Sequence, residues 1–331
     1  YGGKIHLPNT KNKSKFAGTG NYFFEYIEKD ERELLAHNVG MLLREREATQ
    51  PMLLVVSFLN PHDICFEART DAEVEATLAT EGKDRLKAQT IVQMRALADG
   101  ADPAEYPPLP ENFERTENLG RIQFPYKDFT TDYWRRYRFI YGRLVELVDR
   151  QIGEVLDAVE ASANRDNTIV VFTSDHGEMA GAHQLITKGV PYDECQHVPL
   201  IIAGRDVVQG ERDHSLVCNG WDLLPTLCGL AGIEAPSNGC GISLAGRAFG
   251  RKELTPGRFL YLETTRSSLL IEEGKFKYTR FRNNGAEMLI DLANDPLEQN
   301  NLASDPAYAD KRRELSSRLD AELSRRGIAP F

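Results

Sequence analysis

The stretch from residue 169 to residue 202 constrains this chain more than any other. An apolar run, Ile169 to Phe172, leads into Thr173-Ser174-Asp175-His176-Gly177, a polar loop carrying Lys188 follows, and a second apolar run spans Val198 to Ile202. Short apolar runs bounded by turn residues suit strands covered on both faces. In open α/β sheets ligands collect beyond the carboxyl ends of the strands, which is where a carboxylate and an imidazole stand side by side here. Asp175 offers a hard oxygen suited to calcium or magnesium, and His176 moves the preference toward manganese or zinc. Ser-Asp-His-Gly in isolation is better explained by an aspartate capping a turn beside an ordinary loop histidine. The flanking strand and Lys188 turn the reading toward a metal site.

The rest of the chain supports an α/β class. Asp30 with Glu33 forms a capping box for a helix through about Glu47, with Leu34, Leu35, Val39, Leu42 and Leu43 on one face. Met52 to Phe58 reads as a doubly buried strand that ends at Asn60-Pro61-His62-Asp63. Residues 70–99 are helix-prone, and 101–130 are rich in proline and read as irregular, within an excursion spanning 65–130. Loops of that length are usually lids or binding surfaces. A long helix capped by Thr131 or Asp132 reaches about Ala161, and its Arg135, Arg136 and Arg138 are expected on a solvated face. Another helix is expected near Trp221 to Leu230, with short strands at 259–263, 268–272, 276–281 and 287–290 and a terminal helix at 306–326.

The βαβ rhythm predicts a mostly parallel sheet sandwiched by helices. The expected division is an α/β domain over 1–245 and a small antiparallel α+β subdomain over 246–331, with Gly-rich residues 232–250 at the boundary.

Further polar residues gather near the same strand ends. Lys4 and His6 alternate with Gly3 and Ile5, so in a strand both face one pocket. A cation beside an imidazole suits an anionic oxygen or an alkoxide nucleophile, although alone the pair is better read as a solvated strand end. His62 follows a strand and has the chemistry of a general acid; the plainer reading is a loop histidine bonded to backbone. Lys188 can hold a sulfate or phosphate oxygen as a point charge, or be one more surface lysine. His183 and His197 are weaker candidates, for substrate contact only.

Four separated segments carry a resemblance: Gly3-Lys4-Ile5-His6, Asn60-Pro61-His62, Thr173-Ser174-Asp175-His176-Gly177 with Lys188, and Asp291-Leu292-Ala293-Asn294-Asp295-Pro296-Leu297-Glu298-Gln299-Asn300-Asn301-Leu302. In that order they resemble the sulfatases of the alkaline phosphatase superfamily, over the whole chain except the excursion. The resemblance implies an alkaline phosphatase-like fold and hydrolysis of a sulfate ester by a formylglycine hydrate, assisted by a divalent cation: calcium first, with manganese or magnesium as alternatives. It gives Lys4 and His6 contacts to formylglycine and sulfate, His62 a role at the leaving alcohol, Lys188 a sulfate oxygen, and Asp175 and His176 the metal. The commoner pair at the last two positions is Asp-Asn, so His176 is a departure. The family's nucleophile motif and upstream aspartates have no counterpart. Cys65 and Arg69 have the nucleophile spacing but lack the Pro/Ala and Ser between them and lie on the wrong side of the Lys-x-His segment. The chain is therefore expected to be the C-terminal portion of a sulfatase, inactive without the missing N-terminal segment.

The expected substrate is a small sulfated carbohydrate or aryl sulfate. The runners-up are phosphonate monoester or phosphodiester hydrolysis, and non-catalytic binding of anionic glycans. A net charge of −10 argues against general nucleic-acid binding, and no apolar stretch is long enough to span a bilayer. Five cysteines at irregular spacing form no zinc pattern; one or two disulfides between Cys218 and Cys240 stay open. A homo-oligomer and a periplasmic or extracellular setting are compatible with the resemblance.

Overall fold

The protein is described from a computed structural model covering residues 2–3, 34–47, 50–114, 129–237, 241–251, 257–264 and 266–329. Two compact units result: Tyr1–Pro107 with Asp132–Thr168, and Pro108–Thr131 with Ile169–Phe331. The class is α/β with a four-stranded antiparallel C-terminal sheet. No described helix is long and apolar enough to cross a membrane.

In the first unit, β1 (Gly2–Gly3) and β2 (Val56–Ser57) pair in parallel. The Met52–Phe58 run is not the doubly buried strand its composition suggests. Only two of its residues are in β2, and Met52 and Leu53 are 42% and 56% exposed. Apolar composition permits a strand, but the ladder needs a neighbour over its whole length. Helix α1 (Leu35–Glu45) buries Leu35, Ala36, Val39 and Gly40; the capping box expected at Asp30 and Glu33 lies outside the described residues.

The helix-prone 70–99 segment is two helices, α2 (Asp71–Leu78) and α3 (Lys83–Ala96). Helix α2 opens with a reciprocal cap: the Glu73 amide donates to Thr70 Oγ1 at 3.2 Å and the Thr70 amide donates to Glu73 Oε2 at 2.8 Å, satisfying two otherwise orphaned donors. The long helix α4 (Thr131–Glu160) buries Trp134, Tyr137, Ile140, Leu144 and Ala158.

Arg135, Arg136 and Arg138 are partly buried instead of lying on a solvated face as expected. Arg135 donates to the carbonyls of Pro103, Tyr106 and Pro107, and Arg136 pairs with Glu67 at 2.5 Å. Buried Glu67 also pairs with Arg95 at 2.9 Å. The proline-rich chain at 103–107 has few ladder bonds of its own, so a guanidinium with five donors satisfies its carbonyls.

In the second unit, β3 (Ile169–Thr173) pairs antiparallel with β4 (Leu200–Gly204), Thr173 opposite Leu200. Phe172 and Ile201 are 37% and 55% exposed, so this pair is covered less completely than its sequence suggests. Helix α5 (Asp193–Gln196) lies in the connection, and α6 (Asn219–Leu230) follows. Asp222 anchors α6: its carboxylate accepts from the amides of Cys218 and Ile242, each at 2.8 Å, and takes both terminal nitrogens of Arg258 at 2.6 and 2.8 Å. Cys65, Cys195, Cys218 and Cys228 are free thiols; Cys240 lies outside the described residues.

After α7 (Ala245–Ala248), the chain forms β5 (Phe259–Glu263), β6 (Ser267–Glu272), β7 (Phe276–Phe281) and β8 (Glu287–Asp291) in sequential antiparallel order, then α8 (Ala309–Arg325). Both faces of this sheet are covered. Tyr261, Leu270, Tyr278 and Leu289 point one way, against Leu315, Leu319 and Leu323 of α8. The alternate positions Phe281, Met288 and Ile290 point the other way, against Met179, Ala182, Leu185, Val190, Tyr192 and Cys195. The segment read as a polar loop is therefore largely interior, its apolar side chains seated on the C-terminal sheet.

Candidate active site

The turn after β3 is fixed by one glycine. The Gly177 amide donates to the Cys195 carbonyl at 2.9 Å. A Cβ at Gly177 would lie 1.9 Å from the carbonyl oxygen of Glu194, far inside any real contact, so only glycine lets α5 approach this closely. Ser174 Oγ donates to the His176 carbonyl at 2.8 Å, and Asn219 of α6 donates to the Ser174 carbonyl. The backbone around Asp175 and His176 is thus held from several sides.

The two side chains converge. The His176 amide donates to Asp175 Oδ1 at 3.1 Å, and His176 Nδ1 lies 2.9 Å from the Gly177 carbonyl. A carbonyl only accepts, so Nδ1 carries a proton, and in the neutral ring the Nε2 lone pair is the one left to a ligand. That Nε2 lies 3.7 Å from Asp175 Oδ2. Two donors at that separation can both reach one cation, and an imidazole oriented by a backbone carbonyl is the usual arrangement of a metal-ligating histidine. The pair fits half of a divalent-cation site; among the described residues no cluster of three or more His, Cys, Asp or Glu side chains completes it.

Both residues line a cleft of about 1790 Å³ whose wall also carries Lys188, Asp193, His197 and Asn219. Among the described residues no carboxylate pairs with Lys188, which leaves its ammonium available to an anion. His197 is 83% exposed at its side chain, 3.8 Å from Asp193.

His183, expected as a substrate contact, is buried in this arrangement. It is 1% exposed, its ring stacks on Tyr192 at 3.8 Å, and its Nε2 lies 3.2 Å from Asn112 Nδ2. Its φ is +54°, a conformation histidine tolerates better than most residues. The loop composition around His183 gave no periodic signal that it turns inward. Burial pushes this imidazole down to about 4 from 6.5. The unfolded chain therefore binds a proton between those values that the folded protein does not, and stability is lost as pH falls through that window. The loss is up to about 3 kcal/mol. Comparing urea unfolding of the wild type and His183→Gln from pH 7 to 4 checks this: the difference should shrink steadily toward acid, and a pH-independent difference would contradict it.

Lys4 and His6 lie outside the described residues. His62 begins a 3-10 turn, His62–Phe66, in the first unit, with its Nδ1 3.9 Å from Cys65 Sγ and its ring edge-on to Phe66 at 6.0 Å. Asp175, His176, Lys188 and His197 all line the one cleft, and His183 is enclosed.

Three further residues of this region are not among the candidates named from the sequence. Lys277, on the β7 phase that also carries Thr279 and Phe281, is 0% exposed and Glu298 is 1% exposed. Lys277 Nζ lies 2.5 Å from Glu298 Oε1 and 2.9 Å from Asp193 Oδ1. Burial works against the ammonium, but the Glu298 and Asp193 charges outweigh it and hold its pKa above the usual lysine value. Burial pushes the Glu298 carboxyl up to about 7 against the pull of Lys277. Asn112, 3% exposed, donates to Glu194 Oε1 at 2.7 Å. Aromatic and apolar residues on both faces of β7 were the available sign that its lysine lacks water and needs carboxylates.

The sulfatase family model matches residues 5–233, more than half of the chain, and a second, described as N-sulphoglucosamine sulphohydrolase, C-terminal, matches residues 181–325. The chain belongs to the sulfatase family. It is similar to the Delta 4,5-hexuronate-2-O-sulfatase of Bacteroides thetaiotaomicron, with 30% identity over 83% of this chain and 57% of that protein. The choline-sulfatase of Rhizobium meliloti is 31% identical over 84% of this chain and 52% of that protein. The chain thus spans a little over half the length of these curated relatives. Among solved structures it resembles a 2-O GAG sulfatase with a TM-score of 0.72 and 26% identity, covering 92% of this chain and 68% of that one. The alkaline phosphatase-like sulfatase fold expected from the sequence is the fold found.

Proposed function

We propose that this chain supplies the cation-binding turn and sulfate-binding lysine of a sulfuric ester hydrolase acting on a sulfated carbohydrate. The observation that carries the reading is the convergence of Asp175 Oδ2 and His176 Nε2, 3.7 Å apart, on a cleft shared with Lys188. The carbohydrate assignment draws on two relatives, the hexuronate-2-O-sulfatase and the 2-O GAG sulfatase. Asp175 and His176 would hold the cation, calcium in the first instance. When bound, that ion would neutralise charge on the sulfate oxygens. Asp175 contributes a charged oxygen, and His176 a lone pair whose direction is set by the Gly177 carbonyl.

Lys188 binds a sulfate oxygen as a point charge, a contact that strengthens as negative charge gathers there. His62 is assigned the proton for the leaving alcohol, and Lys4 and His6 the contacts to a formylglycine nucleophile. His197, exposed at the cleft wall, is assigned to substrate recognition, and His183 to packing. The residues before 246 form the catalytic domain in this proposal and those after it the C-terminal subdomain.

Two measurements on the full-length enzyme test the reading. An aryl sulfate should be turned over well ahead of an aryl phosphate diester; the reverse order would move the assignment to phosphoryl chemistry. Lys188→Ala should lower kcat/KM for the sulfate ester by about 100-fold, as expected for one charge-assisted contact to the reacting group, and weaken inhibition by inorganic sulfate. Unchanged inhibition would remove Lys188 from the site.

A further inference from the structure

We propose that Lys277 and Glu298 are positioning residues, which set the Asp175–His176 turn and the Lys188 segment from the far side through α5; the inference rests on the sulfatase reading of that site. Lys277 lies on the sheet face that carries Phe281, Met288 and Ile290, against the 179–195 segment. From there its ammonium donates to the Pro191 carbonyl at 3.1 Å and to Asp193 Oδ1 at 2.9 Å. Glu298 reaches the same point from the loop after β8. Its φ is +57°. Asp295 caps that loop, accepting from the amides of Gln299 and Asn300 at 3.1 and 2.7 Å. Glu298 Oε2 accepts from the Asp193 amide at 2.6 Å while Oε1 meets Lys277.

The first residue of α5 is therefore held by its amide and its carboxylate at once. The next residue, Glu194, is gripped by Asn112, which also donates to the Leu297 carbonyl at 3.3 Å. The Glu194 carbonyl is the atom packed against Gly177, and the Cys195 carbonyl takes the Gly177 amide. A shift of α5 therefore moves Gly177, with His176 and Asp175 beside it. In the other direction, Pro191 lies three residues from Lys188, so the same ammonium bounds the travel of the sulfate-binding side chain. A buried charged group held by several partners at once favours one geometry. Supporting residues behind metal ligands typically change metal affinity or activity 10- to 100-fold when altered.

The test uses full-length enzyme carrying Lys277→Met, Glu298→Gln, or both. Three quantities are read: kcat and KM for a sulfate ester, calcium affinity by calorimetry, and hydrogen exchange of residues 175–177 and 188–197. The positioning role predicts a loss of about 10-fold or more in kcat and in calcium affinity for the folded protein, with faster exchange confined to those two segments. Glu298→Gln keeps an acceptor for the Asp193 amide and should retain more function than Glu298→Asp, which is too short to meet both partners. A fall in melting temperature with kcat, calcium affinity and local exchange of the folded protein unchanged would overturn the proposal. If the wild type binds calcium but turns over no sulfate ester, the sulfatase reading fails by itself, and calcium affinity and exchange still decide the positioning role.

Discussion

Asp175→Ala in the full-length enzyme is expected to abolish stoichiometric divalent-cation binding and to lower sulfate-ester turnover by at least about 1000-fold, while leaving the melting temperature nearly unchanged. The carboxylate is 59% exposed at its side chain, so its removal opens no cavity and strands no buried charge. The hydrogen bond from the His176 amide is among the contacts it gives up. What it removes is the only formal negative charge in the pair that converges on the cleft. A bound cation contributes several kcal/mol to stabilising charge on a transferring group, and each 1.4 kcal/mol is tenfold in rate. Metal content after dialysis, read beside turnover and thermal unfolding, checks all three parts. Normal metal content in this variant would remove the cation from this turn.

Gly177→Ala acts by a different route and should be nearly as damaging. The added methyl would lie 1.9 Å from the Glu194 carbonyl oxygen. That oxygen belongs to α5, which is held by Asn112 through the Glu194 side chain and by Lys277 and Glu298 through Asp193. Relief therefore requires the turn itself to move, at the expense of the Gly177–Cys195 hydrogen bond. Overpacking of this kind costs on the order of 2–4 kcal/mol. The variant should lose stability and calcium affinity together, whereas Asp175→Ala loses affinity alone. Urea unfolding and calorimetry on the two variants separate the mechanisms; an unaltered calcium affinity in Gly177→Ala would show that the turn does not depend on its contact with α5.

The C-terminal sheet was legible in the sequence because its evidence is local. Its strands alternate with period two and are separated by turns at Gly274 and Gly285, which have φ of +66° and +67°, so the expected boundaries at 259–263, 268–272, 276–281 and 287–290 lie within one residue of β5 to β8. Helix α4 was legible for the same reason. The 179–195 segment was not: Met179, Leu185, Val190 and Tyr192 are spaced without a period, and what covers them is a sheet some 90 residues further on. Long-range partners also decide Arg135 and Arg136, which hold excursion carbonyls and a buried glutamate instead of facing water. Asp175 and His176 could be named because adjacent polar residues after an apolar run leave a mark on the sequence. Lys277 and Asn112 leave none as plain, because each acquires its role only when distant segments meet. The Asp-Pro-Leu-Glu motif was noticed as a resemblance, and the fold supplies its physics: Asp295 caps the turn and Glu298 is delivered to Lys277.

The most direct measurement is a crystal structure of the full-length enzyme grown with calcium and inorganic sulfate. The account predicts one cation bound by an Asp175 carboxylate oxygen at about 2.3–2.6 Å and by His176 Nε2, with the Lys188 ammonium within hydrogen-bond distance of a sulfate oxygen beside it. A cation bound elsewhere, with Asp175 and His176 turned to solvent and Lys188 away from the sulfate, would contradict it.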